Sequence, residues 1–282
     1  MRRLLFFFLL LPALSWAGEL FLKPSVIDNG GVALLRWSGE PPSVAVARFN
    51  GRLYYLQSSP SSAQVLLGAD LELAAGRYPV EVTVTDRQGN AEFFHLTLEV
   101  RQAVRPEERI TLPPAMVTPR DPAVLKRIEK ERVLLSELYG RQTTPPLWES
   151  LSFPVSDPIG SPFGLRRILN GQPKSPHAGV DFRSPAGTAV KATARGKVAF
   201  AGDLYYTGQT VILDHGEGFF SLYAHLQTIA CGPEELLEAG AVLGTVGSTG
   251  RSTGPHLHWG VKLRGDRIDP LALAELLNGE KR

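Results

Sequence analysis

The sequence predicts a mainly β protein: a small immunoglobulin-like β-sandwich, a linker helix, and then an antiparallel β domain. Three observations predict this order. Short apolar segments separated by Gly, Pro and Asn fill residues 19–101. A single helical pattern follows, between two proline-rich segments. Beyond it, short apolar runs and glycine turns resume, and they carry five of the six histidines of the chain.

The first residues, Met1 to Ala17, have the pattern of a secretory signal peptide. Arg2 and Arg3 precede the apolar run Leu4 to Leu14, and Ser15-Trp16-Ala17 forms a small-x-small cleavage site. That run is shorter than the roughly 20 residues that span a bilayer. A retained N-terminal anchor is the alternative. We expect an exported protein with no stable transmembrane anchor, in the periplasm rather than the extracellular medium, since no lipobox cysteine or C-terminal sorting motif is present.

The composition excludes some classes of partner. A net charge of +2 argues against nucleic acid as a ligand. The one cysteine, Cys231, cannot form an internal disulfide. We interpret it as a buried, inert thiol rather than a metal ligand.

Residues 18–102 are predicted to form the β-sandwich. Three strand candidates come first: Val32 to Trp37, Ser43 to Phe49 and Arg52 to Leu56. Residues 80–84 and 94–100 then alternate apolar and polar side chains on either side of a turn at 86–90, which predicts a hairpin. His95 falls on the polar side of its strand, so we expect it on the surface.

Residues 103–147 are predicted to be a linker that contains a helix at about 121–139. Asp121 stands at the N-cap, Pro122 at the first helical position and Gly140 after the last turn. An apolar stripe, interrupted at Glu131, runs along one face: Val124, Ile128, Leu135 and Leu138. We expect this stripe to pack against a neighbouring domain. A membrane-surface or partner-binding helix is the alternative, which its mixed charges disfavour.

The histidines of the last 120 residues stand at spacings that suit a metal. His256 and His258 are two residues apart, so they lie on the same face of a strand. His177, Gly179 and Asp181 also share one face if that segment is extended. A catalytic zinc usually takes three protein ligands, imidazole or carboxylate, and leaves one position open. Four histidines and an aspartate are available when His225 is added, so two side chains remain for acid–base work. A lone histidine in a strand is usually structural, and we interpret His215, in a predicted hairpin turn, in that way.

The same stretch resembles the lysostaphin/LytM-type zinc metallopeptidases. The resemblance rests on Gly160 to Arg166, His177 to Asp181, Pro185 to Val190, Tyr223 to Leu226, Gly247 to His258 and Ile268 to Pro270. It implies that residues 148–282 are the zinc metallopeptidase domain, with His177, Asp181 and His258 as ligands of one zinc ion and His225 and His256 as catalytic histidines. It also implies the activity, hydrolysis of peptide cross-links in bacterial peptidoglycan.

Two positions depart from the family pattern. Gly260 stands where relatives often have an acidic residue, and Arg264-Gly265 stand where they often have Asn-Gly. We expect both on the rim of the groove, where they would affect substrate preference. Strands are predicted at Val190 to Ala201 and Val211 to Leu213, and Gly247 to Gly254 is predicted to be a loop that borders the groove.

Three functions from different classes follow. The first is a zinc endopeptidase acting on peptidoglycan peptides, with a possible cell-wall protein partner bound through the N-terminal domain. The second is an inactive LytM-like regulator that activates another wall hydrolase, which the complete set of matching residues disfavours. The third is a biotinyl- or lipoyl-like carrier. Against the carrier, the sequence has no lysine in the apolar hairpin that such a protein needs, and a carrier would leave the histidines unexplained.

Overall fold

The computed structural model describes residues 18–112 and 117–279. The predicted signal peptide, Met1 to Ala17, lies outside the described residues. The mainly β fold class is confirmed, since most elements are strands and antiparallel pairing dominates. Within the described ranges, no helix has the length and apolarity needed to cross a membrane.

Nine strands form the N-terminal unit. They are β1 (Gly18–Lys23), β2 (Val26–Asp28), β3 (Val32–Gly39), β4 (Val44–Phe49), β5 (Arg52–Tyr55), β6 (Gln57–Ser59), β7 (Ser62–Gly68), β8 (Gly76–Thr85) and β9 (Ala91–Arg101). One sheet has the order β1-β3-β7-β6 and the other β2-β9-β8-β4-β5. Side chains from both sheets enclose one apolar core. The unit is therefore a sandwich, and its immunoglobulin-like character stays a prediction.

The predicted hairpin of this unit is confirmed. Strands β8 and β9 pair from Thr85 opposite Ala91 to Gly76 opposite Val100. Val80, Val82 and Val84 are buried, as the period of two requires. His95 is exposed, as expected.

The middle of the chain contributes β10 (Glu107–Ile110) and α1 (Pro122–Tyr139). The helix has the predicted bounds: the Asp121 side chain accepts a hydrogen bond of 2.7 Å from the Ala123 N–H, and Gly140 forms the C-cap. Twelve further strands follow: β11 (Ile159–Ser161), β12 (Arg166–Leu169), β13 (Gln172–Pro173), β14 (Gly179–Phe182), β15 (Ala189–Lys191), β16 (Gly196–Leu204), β17 (Gly208–Asp214), β18 (Phe219–Ile229), β19 (Leu236–Leu237), β20 (Val242–Val246), β21 (Leu257–Leu263) and β22 (Asp266–Ile268). Helix α2 (Pro270–Gly279) closes the described chain.

The second unit is built on one large antiparallel sheet. Its order is β11-β14-β21-β18-β17-β16-β19, with β15 and β20 paired beside β18 and β22 beside β21. The single strand predicted for Val190 to Ala201 is wrong in its continuity. The chain turns at 192–195 between β15 and β16, because β15 pairs with β20 whereas β16 pairs with β17.

Helix α1 packs on this second unit, as its stripe predicts. Leu138 is buried against Ile212 of β17 and Phe220 of β18. Earlier in the helix the contact is polar. The Glu131 carboxylate, which interrupts the apolar stripe, accepts a 2.9 Å hydrogen bond from the Tyr205 N–H.

The first part of the linker predicted for residues 103–147 is not entirely irregular. Strand β10 pairs in parallel with β12 of the second unit. Proline cannot donate to a strand ladder, so Pro106 marks the start of this short strand, which lies at the edge of its sheet. This edge position brings the linker beside the functional groove described below.

The two units share a hydrophobic core. One cluster joins Val32, Leu34, Leu66 and Leu71 of the N-terminal sheet to Leu263, Ile268 and Leu273 of the second unit. Charged pairs cross the same boundary: the Arg267 guanidinium contacts Asp70 at 2.5 Å and Glu72 at 2.6 Å. Burial acts to raise the pKa of Asp70, but hydrogen bonds from Arg267 outweigh it and lower that pKa to about 2.

This shared core predicts cooperative unfolding. We expect Leu34→Ala to lower the free energy of unfolding of the whole chain by about 2–5 kcal/mol, because it opens a cavity in a cluster that both units line. The measurement is denaturant unfolding followed by tryptophan fluorescence and by activity. Leu53→Ala, at an exposed leucine, is the matched control and should change stability by less than about 0.5 kcal/mol. Two separate transitions, with only the first one shifted, would contradict the shared core.

Candidate metal centre

Three of the predicted site residues lie together beside strands β14 and β21 of the large sheet. Strands β14 and β21 are antiparallel neighbours, and their register places Asp181 opposite His258. Asp181 Oδ1 lies 2.9 Å from His177 Nε2 and 2.8 Å from His258 Nδ1, and the two nitrogens are 2.9 Å apart. His177, Asp181 and His258 form the one group of possible metal ligands found in the described chain.

Each of these side chains is held by a further contact. The Pro162 carbonyl accepts from His177 Nδ1 at 3.0 Å, which leaves Nε2 free to bind a metal. Arg167 Nη2 donates to Asp181 Oδ2 at 2.7 Å, and Arg167 Nε donates to Glu108 of β10 at 3.1 Å. The second carboxylate oxygen of Asp181 is thus occupied, and Oδ1 points at the two imidazoles.

The sequence needs a glycine between the first two candidate ligands. A Cβ on Gly179 would lie 2.6 Å from His258 Cε1 and 2.5 Å from the Trp259 carbonyl oxygen. The imidazole of His258 therefore packs directly over the backbone of β14. This close approach is what requires a glycine at position 179.

The electrostatics of the cluster favour an ionised Asp181. Burial acts to raise the pKa of Asp181, but hydrogen bonds from His177 and His258 outweigh it and hold this pKa well below its usual range. Burial lowers the pKa of His258, although Asp181 opposes the shift. Two imidazole nitrogens and a carboxylate oxygen are a donor set that catalytic zinc uses, with one position left open. The residues present fit a zinc ion.

The two remaining histidines of the prediction lie beside this cluster. The rings of His225 and His256 have centroids 4.7 Å apart, and the His225 centroid is 6.2 Å from that of His258. His225 Nδ1 donates to the Thr249 carbonyl at 2.8 Å, and His256 Nδ1 donates to the Gly254 carbonyl at 2.9 Å. Both contacts fix the proton on Nδ1 and leave Nε2 as the acceptor atom.

A β-bulge positions His225. The pairing of β17 with β18 shifts register between Val211 opposite Tyr223 and Gln209 opposite Leu226. His225 adopts φ of 61°, a left-handed conformation that is uncommon outside glycine. Bulges re-aim side chains in this way. Burial lowers the pKa of His225 to about 3, with His258 and His256 adding to the shift.

A groove of about 500 Å³ runs over the cluster. His225, His256 and Asp181 line it, and the predicted loop Gly247 to Gly254 supplies part of one wall. The linker supplies another wall through three residues in and after β10: Glu108, Ile110 and Leu112. No residue of α1 is among the residues that line this groove.

The prediction that Gly260 and Arg264 lie on the groove rim is wrong. Neither residue lines the groove. Gly260 lies within the sheet, next to the Ala178 carbonyl. Arg264 follows the end of β21 that is remote from His258, where it contacts Glu217 and the ring of Tyr54. The reason is geometric: six residues of extended strand separate His258 from Arg264 by about 20 Å.

Two residues that sequence reasoning missed support the cluster. Arg167 follows directly after the motif Gly160 to Arg166, and Glu108 belongs to the predicted linker. A basic residue beside a family motif is a weak signal by itself. The parallel pairing of β10 with β12 is what brings Glu108 to Arg167, and no local pattern reveals that pairing.

His215 and Cys231 lie outside the cluster, as expected. His215 Nδ1 donates to the Arg195 carbonyl at 2.8 Å, and its Nε2 lies 2.7 Å from Ser221 Oγ. Its side chain is fully buried, and burial lowers the pKa of His215 to about 4. Cys231 is a free, half-buried thiol, and burial raises its pKa to about 11.

The buried His215 predicts a pH dependence of stability. Its folded pKa lies below the ordinary value of 6.5. The stabilisation is therefore complete above about pH 6.5 and is lost as the pH falls through about 4, to a maximum of about 3 kcal/mol. Unfolding free energies between pH 7 and pH 4 should fall less steeply for His215→Asn than for the natural chain. The exposed His95→Asn is the control, and parallel profiles for all three proteins would contradict the prediction.

Comparison with known proteins gives a family match over part of this unit. The model of Peptidase family M23 matches residues 175–270, which include all five site residues. A crystal structure from Pseudomonas aeruginosa, titled as a peptidase M23, is 32% identical and has a TM-score of 0.67. That match covers 88% of this chain and 95% of the other.

Curated relatives match the same region. DD-carboxypeptidase/endopeptidase Mpg of Neisseria meningitidis serogroup B is 40% identical over 116 residues, 41% of this chain and 27% of Mpg. Murein hydrolase activator NlpD of Salmonella dublin is 33% identical over 102 residues, 36% of this chain and 27% of NlpD. The matched region is thus about a quarter of the length of these relatives.

Proposed function

Because this chain belongs to peptidase family M23, we propose that it is a zinc-dependent endopeptidase that hydrolyses peptide cross-links of bacterial peptidoglycan. The observation that carries the proposal is the convergence of His177, Asp181 and His258 within 2.9 Å of one another, beneath a groove that two further histidines line. The proposal needs both the cluster and the groove, because a polymer could not reach a buried cluster that had no groove above it.

The chain's own residues have separable tasks in this proposal. His177 Nε2, Asp181 Oδ1 and His258 Nδ1 would hold one zinc ion. When bound, zinc polarises a carbonyl oxygen and lowers the pKa of a coordinated water towards about 7. Arg167 keeps the Asp181 carboxylate oriented, and its positive charge offsets part of the negative charge there.

His225 and His256 would handle the protons. Each ring presents Nε2 as an acceptor because a backbone carbonyl holds the proton on Nδ1. We assign to His256 the removal of a proton from the attacking water. We assign to His225 the stabilisation of the negative charge that develops on the carbonyl oxygen, for which its Nε2 must also gain a proton and donate to that oxygen. The groove is open enough to take an extended peptide, at about 500 Å³ within the usual range of binding sites.

The second candidate, an inactive activator of another hydrolase, draws support from the similarity to NlpD. The filled set of candidate ligands and flanking histidines favours the endopeptidase. We further propose export to the periplasm, where the polymer lies, on the basis of the sequence of residues 1–17. The name of Mpg favours a bond between D-configured residues as the one cleaved.

The decisive experiment is mass spectrometry of fragments released from purified peptidoglycan by residues 18–282. We expect fragments cut at the peptide cross-link, lost on zinc chelation and restored by added zinc. Zinc-loaded protein that releases nothing, yet accelerates a second purified wall hydrolase, would establish the activator instead.

A further inference from the structure

The carboxylate of Glu131 is a feature of helix α1 that the apolar stripe does not explain. It interrupts the stripe, yet its side chain is only 16% exposed. Its Oε2 accepts a 2.9 Å hydrogen bond from the Tyr205 main-chain N–H, and its Oε1 accepts from Arg127 Nε at 2.6 Å. Both carboxylate oxygens are therefore in use, and one of them holds a turn of the large sheet.

This turn consists of residues 205–207, between β16 and β17. Two of its carbonyl oxygens accept hydrogen bonds from the region of the groove. The Tyr206 carbonyl accepts from the Arg251 N–H at 2.8 Å, and the Thr207 carbonyl accepts from the His225 N–H at 2.8 Å. The turn therefore contacts both the loop that borders the groove and the main chain of a candidate catalytic histidine.

The turn and the groove loop are packed closely together. The Arg251 guanidinium lies over the Tyr206 ring, 4.4 Å from its centroid. Gly250 has a φ of 70°, and a Cβ there would overlap the backbone at the start of β17. The same loop supplies the Thr249 carbonyl, which accepts from His225 Nδ1 at 2.8 Å. A displacement of the turn would therefore also displace the loop.

His225 needs contacts from outside its own strand to keep its conformation. Its φ of 61° is in the left-handed region, where a non-glycine residue is strained and stays only if the surrounding structure imposes it. Two carbonyls impose it here, that of Thr207 on the main-chain N–H and that of Thr249 on the ring. The first carbonyl belongs to the turn that Glu131 holds, and the second belongs to the loop packed on that turn.

We propose that Glu131 is a positioning residue for His225: its hydrogen bond to Tyr205 fixes the turn 205–207, and the turn sets the place of the His225 ring in the groove. The hydrogen bond is largely shielded from water, which strengthens it relative to an exposed contact. Helix α1 thus acts on the reaction although none of its residues lines the groove. That catalytic role rests on the proposed function, because it requires that His225 takes part in hydrolysis.

The first test compares substitutions at and beside position 131 in residues 18–282. Glu131→Ala removes the acceptor of the Tyr205 N–H, whereas Glu131→Gln keeps an oxygen that can accept it. We expect Glu131→Ala to lower the rate of hydrolysis roughly 10-fold, because a displacement of about 1 Å can cost up to about 10²-fold. Glu131→Gln should recover most of this loss. Glu129→Ala, which removes an exposed carboxylate paired with Arg132 on the same helix, is the matched control and should keep the full rate. Equal rates for Glu131→Ala and Glu129→Ala would overturn the proposal.

A double substitution separates positioning from a general effect on the fold. In a His225→Ala background, Glu131→Ala should lower the remaining rate by less than about 2-fold, because the ring that it positions is already absent. A loss of roughly 10-fold in both backgrounds would show that Glu131 acts independently of His225, and it would overturn the proposal.

The place of the ring is measured separately from the rate, by NMR of protein labelled at histidine. The ring signals of His225 are assigned by their loss in His225→Ala. We expect these signals to shift in Glu131→Ala and to keep their positions in Glu131→Gln and Glu129→Ala. If the natural chain hydrolyses nothing, the proposed function fails, and the shift in Glu131→Ala still supports the link from Glu131 to the ring. Unchanged His225 signals in a folded Glu131→Ala protein would overturn that link, whatever the rates.

Discussion

Asp181→Ala should lose zinc and abolish peptidoglycan hydrolysis. The substitution removes one of three converging donor atoms and leaves Arg167, a fixed positive charge, next to a site meant for a cation. Both changes weaken cation binding in the same direction. Zinc affinity should therefore fall by more than the 10–100-fold that loss of an outer-shell partner typically costs. The measurement is zinc stoichiometry by mass spectrometry, together with the rate of fragment release.

Two further variants test whether the loss of zinc depends on the donor atom of Asp181 itself. Arg167→Ala keeps all three donors and removes only the contact that orients Asp181, so a 10–100-fold loss of zinc affinity is expected. Asp203→Ala is the matched control, since it removes a carboxylate paired with Arg127 on an exposed surface. It should retain full zinc and full activity. An Asp181→Ala protein that is folded and still binds one zinc tightly would refute the proposed ligand set.

The sequence was informative about the site wherever the chemistry is local. The spacing of His177 and Asp181 and of His256 and His258 can be read directly, because alternation fixes which side chains share a strand face. The register that sets Asp181 opposite His258 is a long-range pairing of β14 with β21. The bulge at His225 likewise depends on the pairing of β18 with β17, so the residues Tyr223 to Leu226 alone do not predict it.

The wrong prediction for Arg264 has a simple origin. Arg264 is close to His258 in the sequence, and the prediction assumed that it is also close in space. The two residues are far apart because an extended strand advances by about 3.3 Å per residue. The shared core was missed for a different reason. Val32 to Leu35 are buried in succession, without alternation, which is typical of a strand covered on both faces. The unbroken apolar run was visible in the sequence, but the element that covers the second face was not.

His225→Ala and His256→Ala should each reduce the rate of hydrolysis by roughly 10²–10⁴-fold while zinc remains bound. Neither side chain belongs to the three converging donors, and positioned acid–base groups typically contribute this much. The substitution His→Gln separates their roles. Glutamine can donate a hydrogen bond to an oxyanion but cannot accept and release a proton near neutral pH. We therefore expect His225→Gln to recover part of the rate and His256→Gln to recover none.

The measurement is zinc stoichiometry and the initial rate of fragment release for these four variants and for His258→Ala, with the exposed His95→Ala as the control that should change neither. Loss of zinc from His256→Ala, or full zinc in His258→Ala, would contradict the division between ligands and proton-transfer groups. Recovery by glutamine at position 256 and not at 225 would exchange their two roles, because the bulged His225, held by Thr249, would then be the group that must take the proton.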